Sequence, residues 1–158
     1  MKMETLPVST AVEWVTAWTG LAWPVSWETA FAIRDRLGWV PYSEDGRLFA
    51  TFLSAVGADG WMEPNRDGYF DAVDFPLATV ITEVFVEPDT ASVTWAAYES
   101  YLEALTGVFG AAWTVERDMG TDNEDRQAKW CLPNGSSLRL GARSGNIEVY
   151  VRSPDHLR

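Results

Sequence analysis

Carboxylates are the side chains in this sequence with the greatest capacity for chemistry. The 158 residues contain 23 aspartates and glutamates but only one histidine and one cysteine. Two carboxyl groups that face each other in a cleft can act as general acid and general base, provided that the site shifts the pKa of one of them. Because no spacing along the chain selects such a pair, we predict that the protein is not an enzyme and keep a carboxylate enzyme as an alternative.

The single histidine and the single cysteine do not indicate nucleophilic catalysis. His156 lies close to the C-terminus, where side chains are seldom held rigidly enough to act as a base. Cys131, between Trp130 and Leu132 in a predicted strand, is expected to be a small buried apolar side chain. One cysteine and one histidine do not complete a usual zinc site, and the sequence contains no glycine-rich phosphate-binding motif. We therefore predict no metal and no cofactor.

One acidic segment, residues 63–74, is similar to a calcium-binding EF-hand loop. Oxygen-bearing side chains fall at the first, third, fifth, ninth and twelfth positions, with Gly68 at the sixth. The segment departs from the motif because Glu63 replaces the usual first aspartate and Asp74 replaces the usual final glutamate. Pro76 and the β-rich stretch after it oppose an exiting helix. We predict a hairpin turn at Gly68 and leave calcium binding open.

The net charge of −11 is concentrated in the middle of the chain. Residues 48–116 hold eleven acidic residues and a single basic one, Arg66. Such a field repels phosphate backbones, which argues against a nucleic-acid ligand, and it accelerates association with a basic protein. We predict a basic protein partner. The alternative is that the acidic surface only keeps the protein in solution.

Aromatic residues near the acidic turn could supply the centre of a binding surface. Nine tryptophans are spread along the chain, and most are expected in the core, where a buried indole N–H requires an acceptor. Trp61, Tyr69 and Phe70 could be protein anchors, the lining of a sugar or small-ligand groove, or further core residues. The predicted partner-binding residues are Asp59, Trp61, Glu63, Asp67, Tyr69, Phe70, Asp71 and Asp74.

The sequence does not indicate a membrane protein. No stretch approaches the about 18–20 apolar residues that cross a bilayer, and the first residues lack the apolar run and cleavage site of a signal peptide. The lone Cys131 cannot form an internal disulfide, which suits a reducing compartment. We predict a cytoplasmic protein with no membrane partner and one domain over residues 1–158, with loose tails at 1–8 and 153–158. Both a monomer and a homodimer are compatible with the sequence.

Apolar residues spaced three to four apart predict three helices. The first spans about 11–19 and begins with a T-x-x-E capping box at Thr10. The second spans about 27–37, is capped by Ser26, and directs residues 34–36 toward water. The third runs from Asp89 or Thr90 to a stop at Gly110. Its predicted apolar stripe consists of Val93, Ala96, Ala97, Tyr101, Leu102, Leu105, Val108 and Phe109.

Alternating segments bounded by turn residues predict the strands. They are residues 47–56, 61–63, 78–86, 113–116, 129–132, 137–143 and 147–152, with hairpin turns at 133–135 and 144–146 and a polar loop at 118–126. The element order is ααβββαββββ. This order predicts the α+β class, with an antiparallel sheet and three helices packed mainly on one face.

Several structural motifs carry a resemblance to a family. They are Arg36-Leu37-Gly38-Trp39 after a helix, LTGVFGAAW at 105–113, WCLPNGSSL at 130–138 and IEVYVRSP at 147–154. Together, over about residues 30–154, they resemble an uncharacterised family of small actinobacterial proteins. Such proteins are similar in size and acidity to immunity proteins of polymorphic toxin systems.

The resemblance and the acidity together predict an immunity-like inhibitor. It would cover the substrate site of a basic toxin or effector domain with the acidic surface of residues 48–116. The alternatives are a chaperone or adaptor for a secreted partner, and a small-ligand or carbohydrate-binding domain.

Overall fold

The computed structural model of the chain describes residues 3–80, 89–118 and 124–155. These residues form three α-helices and nine β-strands. The elements are β1 (Met3–Thr5), α1 (Val8–Thr19), α2 (Trp27–Arg36), β2 (Val40–Pro41), β3 (Leu48–Ala50), β4 (Gly60–Pro64), β5 (Phe70–Val80), α3 (Thr90–Phe109), β6 (Thr114–Asp118), β7 (Asp125–Cys131), β8 (Ser137–Arg143) and β9 (Asn146–Arg152). The predicted α+β class is confirmed, with one additional strand before α1 and one more before α3.

The helix ends show which local signals were read correctly. Ser26 caps α2, as predicted, and its hydroxyl oxygen accepts the Thr29 backbone N–H at 3.1 Å. Gly110 ends α3, as predicted, with a φ of +85° that favours glycine. The capping box at Thr10 is wrong, because α1 begins three residues earlier, after Pro7, and has no side-chain cap. Proline suits this position because it has no N–H to leave unpaired.

The buried face of α3 differs from the predicted apolar stripe. Val93 and Val108 are 41% and 49% exposed and Ala96 is exposed as well, so the stripe is wrong at these three residues. The buried residues are Thr90, Thr94, Tyr98, Tyr101 and Leu105. Thr94 fits the interior because its hydroxyl donates to the Thr90 carbonyl at 2.7 Å and accepts the Gly145 N–H at 2.9 Å.

All described strands belong to one antiparallel sheet with the order β2-β3-β4-β5-β9-β8-β7-β6. The long strand β5 pairs with β9 along one edge, and β4 and β1 share its other edge. Side chains alternate between the two faces of a strand. One face carries most of the buried residues and packs against the helices. The second face has no helix over it in the described part of the chain, and we call it the open face.

Three predicted strands have different lengths in the structure. The strand at 47–56 is reduced to β3, because residues 51–59 form a loop in which Asp59 accepts both the N–H and the hydroxyl of Thr51. The strand at 78–86 begins earlier, as β5, and residues 81–86 lie outside the described residues. Strand β7 begins at Asp125, inside the predicted loop 118–126, whose residues 119–123 also lie outside the described residues.

An aromatic cluster fills the core between the sheet and the first two helices. Trp39 lies at its centre and stacks on Phe49 with a centroid distance of 4.6 Å, and Trp14, Trp18 and Phe75 lie within 5.9 Å. Of the nine tryptophans, Trp61 and Trp113 are exposed. The prediction that most tryptophans are core residues is confirmed.

Two predicted side-chain environments are wrong: Arg34 is buried and Cys131 is exposed. Arg34 is 7% exposed rather than solvated, because its guanidinium donates to the Gly46 carbonyl at 2.8 Å, pairs with Asp35 at 2.9 Å and lies over the Phe31 ring. Cys131 is exposed rather than buried, because strand alternation places its neighbours in the core and directs Cys131 to the open face.

The N-terminal segment is anchored to the sheet. The loose tail predicted for residues 1–8 is wrong at residues 3–6, since β1 pairs with β5 and Leu6 is 3% exposed. The buried Tyr101 hydroxyl donates to the Leu6 carbonyl at 2.7 Å and approaches the Leu77 carbonyl at 3.2 Å. Tyr101 therefore connects α3 to the junction of β1 and β5.

Replacing Tyr101 with phenylalanine should lower the free energy of unfolding by about 1–2 kcal/mol, because the Leu6 carbonyl loses its buried donor. Urea denaturation measures the loss. Tyr98→Phe is the matched control, since Tyr98 is equally buried on the same helix and its hydroxyl has no partner among the described residues. Equal losses for the two variants would show that the Tyr101 hydrogen bond does not contribute.

Candidate functional site

The centre of the open face is a connected group of charged and aromatic side chains. Strand pairing places Trp61 of β4, Asp74 of β5, Tyr150 of β9 and Arg139 of β8 in one row across the sheet. Asp74 is only 3% exposed although no helix covers this face. The surrounding side chains must therefore cover Asp74 and exclude water from its carboxyl group.

The exclusion of water changes the pKa of the Asp74 carboxyl group. Burial raises the pKa of Asp74 to about 8, and the charge of Glu148 and a hydrogen bond with it act in the same direction. Glu63 adds to the rise, whereas the Arg139 guanidinium opposes it. Asp74 consequently holds its proton at neutral pH.

Glu63 connects this pair to the aromatic residues of the open face. The Tyr150 hydroxyl and the Trp61 indole N–H both donate to Glu63, the latter at 3.1 Å. Arg139 and Arg152 lie 5.2 and 4.6 Å from the Tyr150 ring centroid. Burial and the neighbouring Glu63 raise the pKa of Tyr150, so that it stays a donor at neutral pH. We call Glu63, Asp74, Glu148, Tyr150 and Arg139 the carboxylate cluster.

A polar cavity of about 280 Å³ adjoins the carboxylate cluster on the open face. It lies over Gly141 of β8, and its walls include Arg139 and Glu148, which also belong to the cluster. The remaining polar side chains of its walls are Asp125, Gln127, Arg143 and Asn146. Two long ion pairs cross it, Arg139 to Glu148 at 3.8 Å and Arg143 to Asp125 at 3.4 Å.

An apolar row continues the open face toward the β2 edge of the sheet. Leu48 of β3 lies opposite Trp61, and the Tyr42 N–H donates to the Leu48 carbonyl at 2.8 Å. Tyr42, Leu48 and Trp61 are 62%, 42% and 38% exposed. We call these three residues the apolar row. It borders Glu63, which accepts from Trp61.

The predicted partner-binding residues do not form one surface. Trp61, Glu63 and Asp74 meet on the open face, whereas Asp67 and Tyr69 are exposed at the tip of the β4–β5 hairpin. Asp59 is half-buried against Thr51, and burial raises its pKa.

The prediction that Phe70, Asp71 and Asp74 are surface contacts is wrong, because all three side chains are buried. Phe70 stacks on Trp23 in the aromatic core. Asp71 lies where the pairing of β4 with β5 is irregular, and it accepts the Ser153 hydroxyl. The acidic residues of the segment 48–116 likewise do not share one surface. Glu99 belongs to α3, which packs on the face of the sheet opposite the open face, and its carboxylate lies 3.5 Å from the Arg126 guanidinium.

The EF-hand-like segment is a β-hairpin rather than a helix-flanked loop. Asn65 accepts the backbone N–H groups of Asp67 and Tyr69, and Gly68 has a φ of +86°. The predicted turn at Gly68 is confirmed. Across the described ranges, no group of three histidine, cysteine, aspartate or glutamate side chains is placed to hold a metal ion.

Sequence reasoning missed the residues of the candidate site that lie on β8 and β9. Arg139, Gly141, Glu148 and Tyr150 come from the hairpin 137–152, which was correctly placed. Counting back from its turn places Glu148 opposite Gly141 and Tyr150 opposite Arg139. That register was the available signal, but the sequence does not reveal that β9 pairs with β5 on its other side.

The fold and this site define an α+β protein built on one antiparallel sheet that carries its helices on one face and a polar site on the other. The chain belongs to DUF6301, a family of unknown function whose model matches residues 9–153. Curated proteins and solved structures contain no match to the chain. None of the helices in the described ranges is long and apolar enough to cross a membrane.

Proposed function

We propose that this protein is a protein-binding module, an immunity-like inhibitor that neutralises a basic toxin or effector domain in the cytoplasm. One observation carries the proposal: the apolar row lies exposed on the open face and borders the carboxylate of Glu63. Binding surfaces of proteins commonly combine an aromatic centre with a charged surround. The resemblance to small acidic actinobacterial proteins, which are similar to immunity proteins, supports the same role.

The apolar row is suited to act as the centre of an interface. Trp61 is partly held by its hydrogen bond to Glu63 at 3.1 Å, so less side-chain entropy is lost when a partner covers it. Leu48 and Tyr42 extend the same row toward the sheet edge. With a net charge of −11, the protein attracts a basic partner over a longer range than the row itself contacts.

A non-catalytic role is part of the proposal. A carboxylate enzyme needs two facing carboxyl groups with one raised pKa, which describes Asp74 and Glu148. Asp74 is only 3% exposed, however, which argues against direct contact with a substrate on the open face. A chaperone or adaptor for a secreted partner is the alternative within protein binding. The small-ligand alternative is favoured by a different observation, the cavity over Gly141.

The first experiment captures partners from a lysate of the source cells on three baits: wild type, Trp61→Ala and Trp113→Ala. We expect one basic protein, bound stoichiometrically, on the wild-type and Trp113→Ala baits. The captured protein should inhibit growth when expressed alone, and co-expression with the inhibitor should restore growth. Binding of many unrelated unfolded proteins would instead favour the chaperone alternative. Equal recovery of the partner on all three baits would show that the apolar row is not its binding site.

Trp61→Ala should weaken binding of the captured partner about thirtyfold or more, mainly by faster dissociation, because truncating an anchor removes its buried contact. Surface plasmon resonance measures both rates. Trp113 is the matched control because it is 71% exposed at the opposite end of the sheet, beside β6. An unchanged dissociation rate for Trp61→Ala would contradict the proposal.

A further inference from the structure

Gly141 is a glycine that the fold itself does not require. It lies in the middle of β8, in regular register with Gln127 and Glu148 and without a bulge. Its φ is outside the left-handed region. A Cβ atom built on it would meet only Arg139 and Glu148, each at 4.0 Å, which is ordinary contact.

A glycine in a strand interior weakens the strand and often marks close approach of a ligand. Here the glycine leaves a gap in the layer of side chains on the open face, and the cavity of about 280 Å³ includes this gap. Neither backbone conformation nor packing accounts for Gly141, whereas its missing side chain leaves the backbone accessible at the floor of the cavity.

The walls of the cavity offer both hydrogen-bond donors and hydrogen-bond acceptors. Arg139 and Arg143 balance Glu148 and Asp125 in charge. The 3.8 Å separation of Arg139 from Glu148 exceeds hydrogen-bond distance, so both groups retain capacity toward the cavity. The amides of Gln127 and Asn146 add a donor and an acceptor each.

We propose that this cavity binds a neutral polyhydroxyl ligand, one ring of a carbohydrate, lying against the Gly141 backbone. Each sugar hydroxyl both donates and accepts, which matches planar carboxylate, guanidinium and amide groups. In each ion pair a charged ligand would lie beside a group of its own charge, whereas neutral hydroxyl groups meet no such repulsion. With a volume of about 280 Å³, the cavity has room for a single ring.

This binding site is independent of the proposed protein-binding function. The apolar row lies on β3, on β4 and directly after β2, and the cavity lies on β7, β8 and β9, so a variant of one leaves the other in place. Trp61→Ala is accordingly expected to retain the ligand site.

The test is a titration of the ¹⁵N-labelled protein with glucose, galactose and N-acetylglucosamine at millimolar concentrations, with free arginine and citrate as charged probes. We expect at least one neutral sugar to give saturable amide shifts at Gln127, Gly141 and Glu148. In Gly141→Thr, the threonine side chain occupies the floor of the cavity, and the response should weaken about tenfold or more. The variant should fold, because a Cβ atom has room there and threonine favours strands.

Ser137→Thr is the matched control, since it adds a methyl group to the same strand and face outside the cavity. Its sugar response should equal that of the wild type. Saturable shifts with arginine or citrate but not with the sugars would overturn the proposal, as would an undiminished sugar response in Gly141→Thr. The absence of any response in the folded wild type would overturn it as well.

Discussion

Replacing Trp39 with alanine is expected to lower the free energy of unfolding by about 3–5 kcal/mol. Trp39 is 2% exposed and contacts Trp14, Trp18, Phe49 and Phe75, so its removal leaves a cavity that these rigid rings cannot fill. Since small domains are stable by only about 5–15 kcal/mol, the variant should unfold at much lower urea concentration.

Urea denaturation followed by circular dichroism measures this loss. Trp113→Ala removes the same side chain from a site that is 71% exposed, and it should change stability by less than about 0.5 kcal/mol. If the free energy changed equally in both variants, the aromatic cluster would not be the main stabilising contact of the helices on the sheet. Trp39→Phe, which keeps a ring in the cluster, should recover part of the lost stability.

Replacing Asp74 with asparagine should remove a pH dependence from the stability of the protein. The folded state holds the Asp74 proton up to a pH of about 8, whereas the unfolded chain releases it near 3.8. The contribution of Asp74 to stability is therefore greatest below pH 4 and is lost as the pH rises toward 8. Within this window the loss amounts to about 1.4 kcal/mol per pH unit.

Asparagine retains a donor for Glu148 but cannot ionise, so Asp74→Asn should lack this slope. Relative to the wild type, the variant should gain about 5 kcal/mol between pH 4 and pH 9. The measurement is urea denaturation of both proteins across that range. Asp67→Asn, at the exposed tip of the β4–β5 hairpin, is the control and should follow the wild type. Parallel curves for Asp74→Asn and the wild type would show that Asp74 is ionised in the folded protein.

The features that the sequence predicted correctly are those with a local physical cause. Ser26 and Gly110 define helix ends through their own backbone and side-chain preferences. The strand at 137–143 was placed correctly to the residue, because hairpin turns on either side fix its ends. The α+β class followed from the resulting order of elements.

The failures concern contacts between distant parts of the chain. The pairing of Met3 with Val80 cannot be read from either segment alone. Thr94 is buried because the distant Gly145 supplies a hydrogen bond, which no helical periodicity reveals. Only part of the candidate site was predicted, because its residues come from distant segments of the chain. Trp61 and Glu63 were named from local composition, whereas Tyr150, which donates to Glu63 across the sheet, was not.

Binding through the open face is tested most directly by hydroxyl-radical footprinting of the protein, alone and in complex with the partner that the capture experiment identifies. Oxidation of Tyr42 and Trp61, both exposed in the free protein, is expected to fall several-fold in the complex, whereas Trp113 should react equally in both states. If instead the complex protected Trp113 and left Tyr42 and Trp61 as reactive as in the free protein, the partner would bind elsewhere and the proposed role of the open face would be wrong.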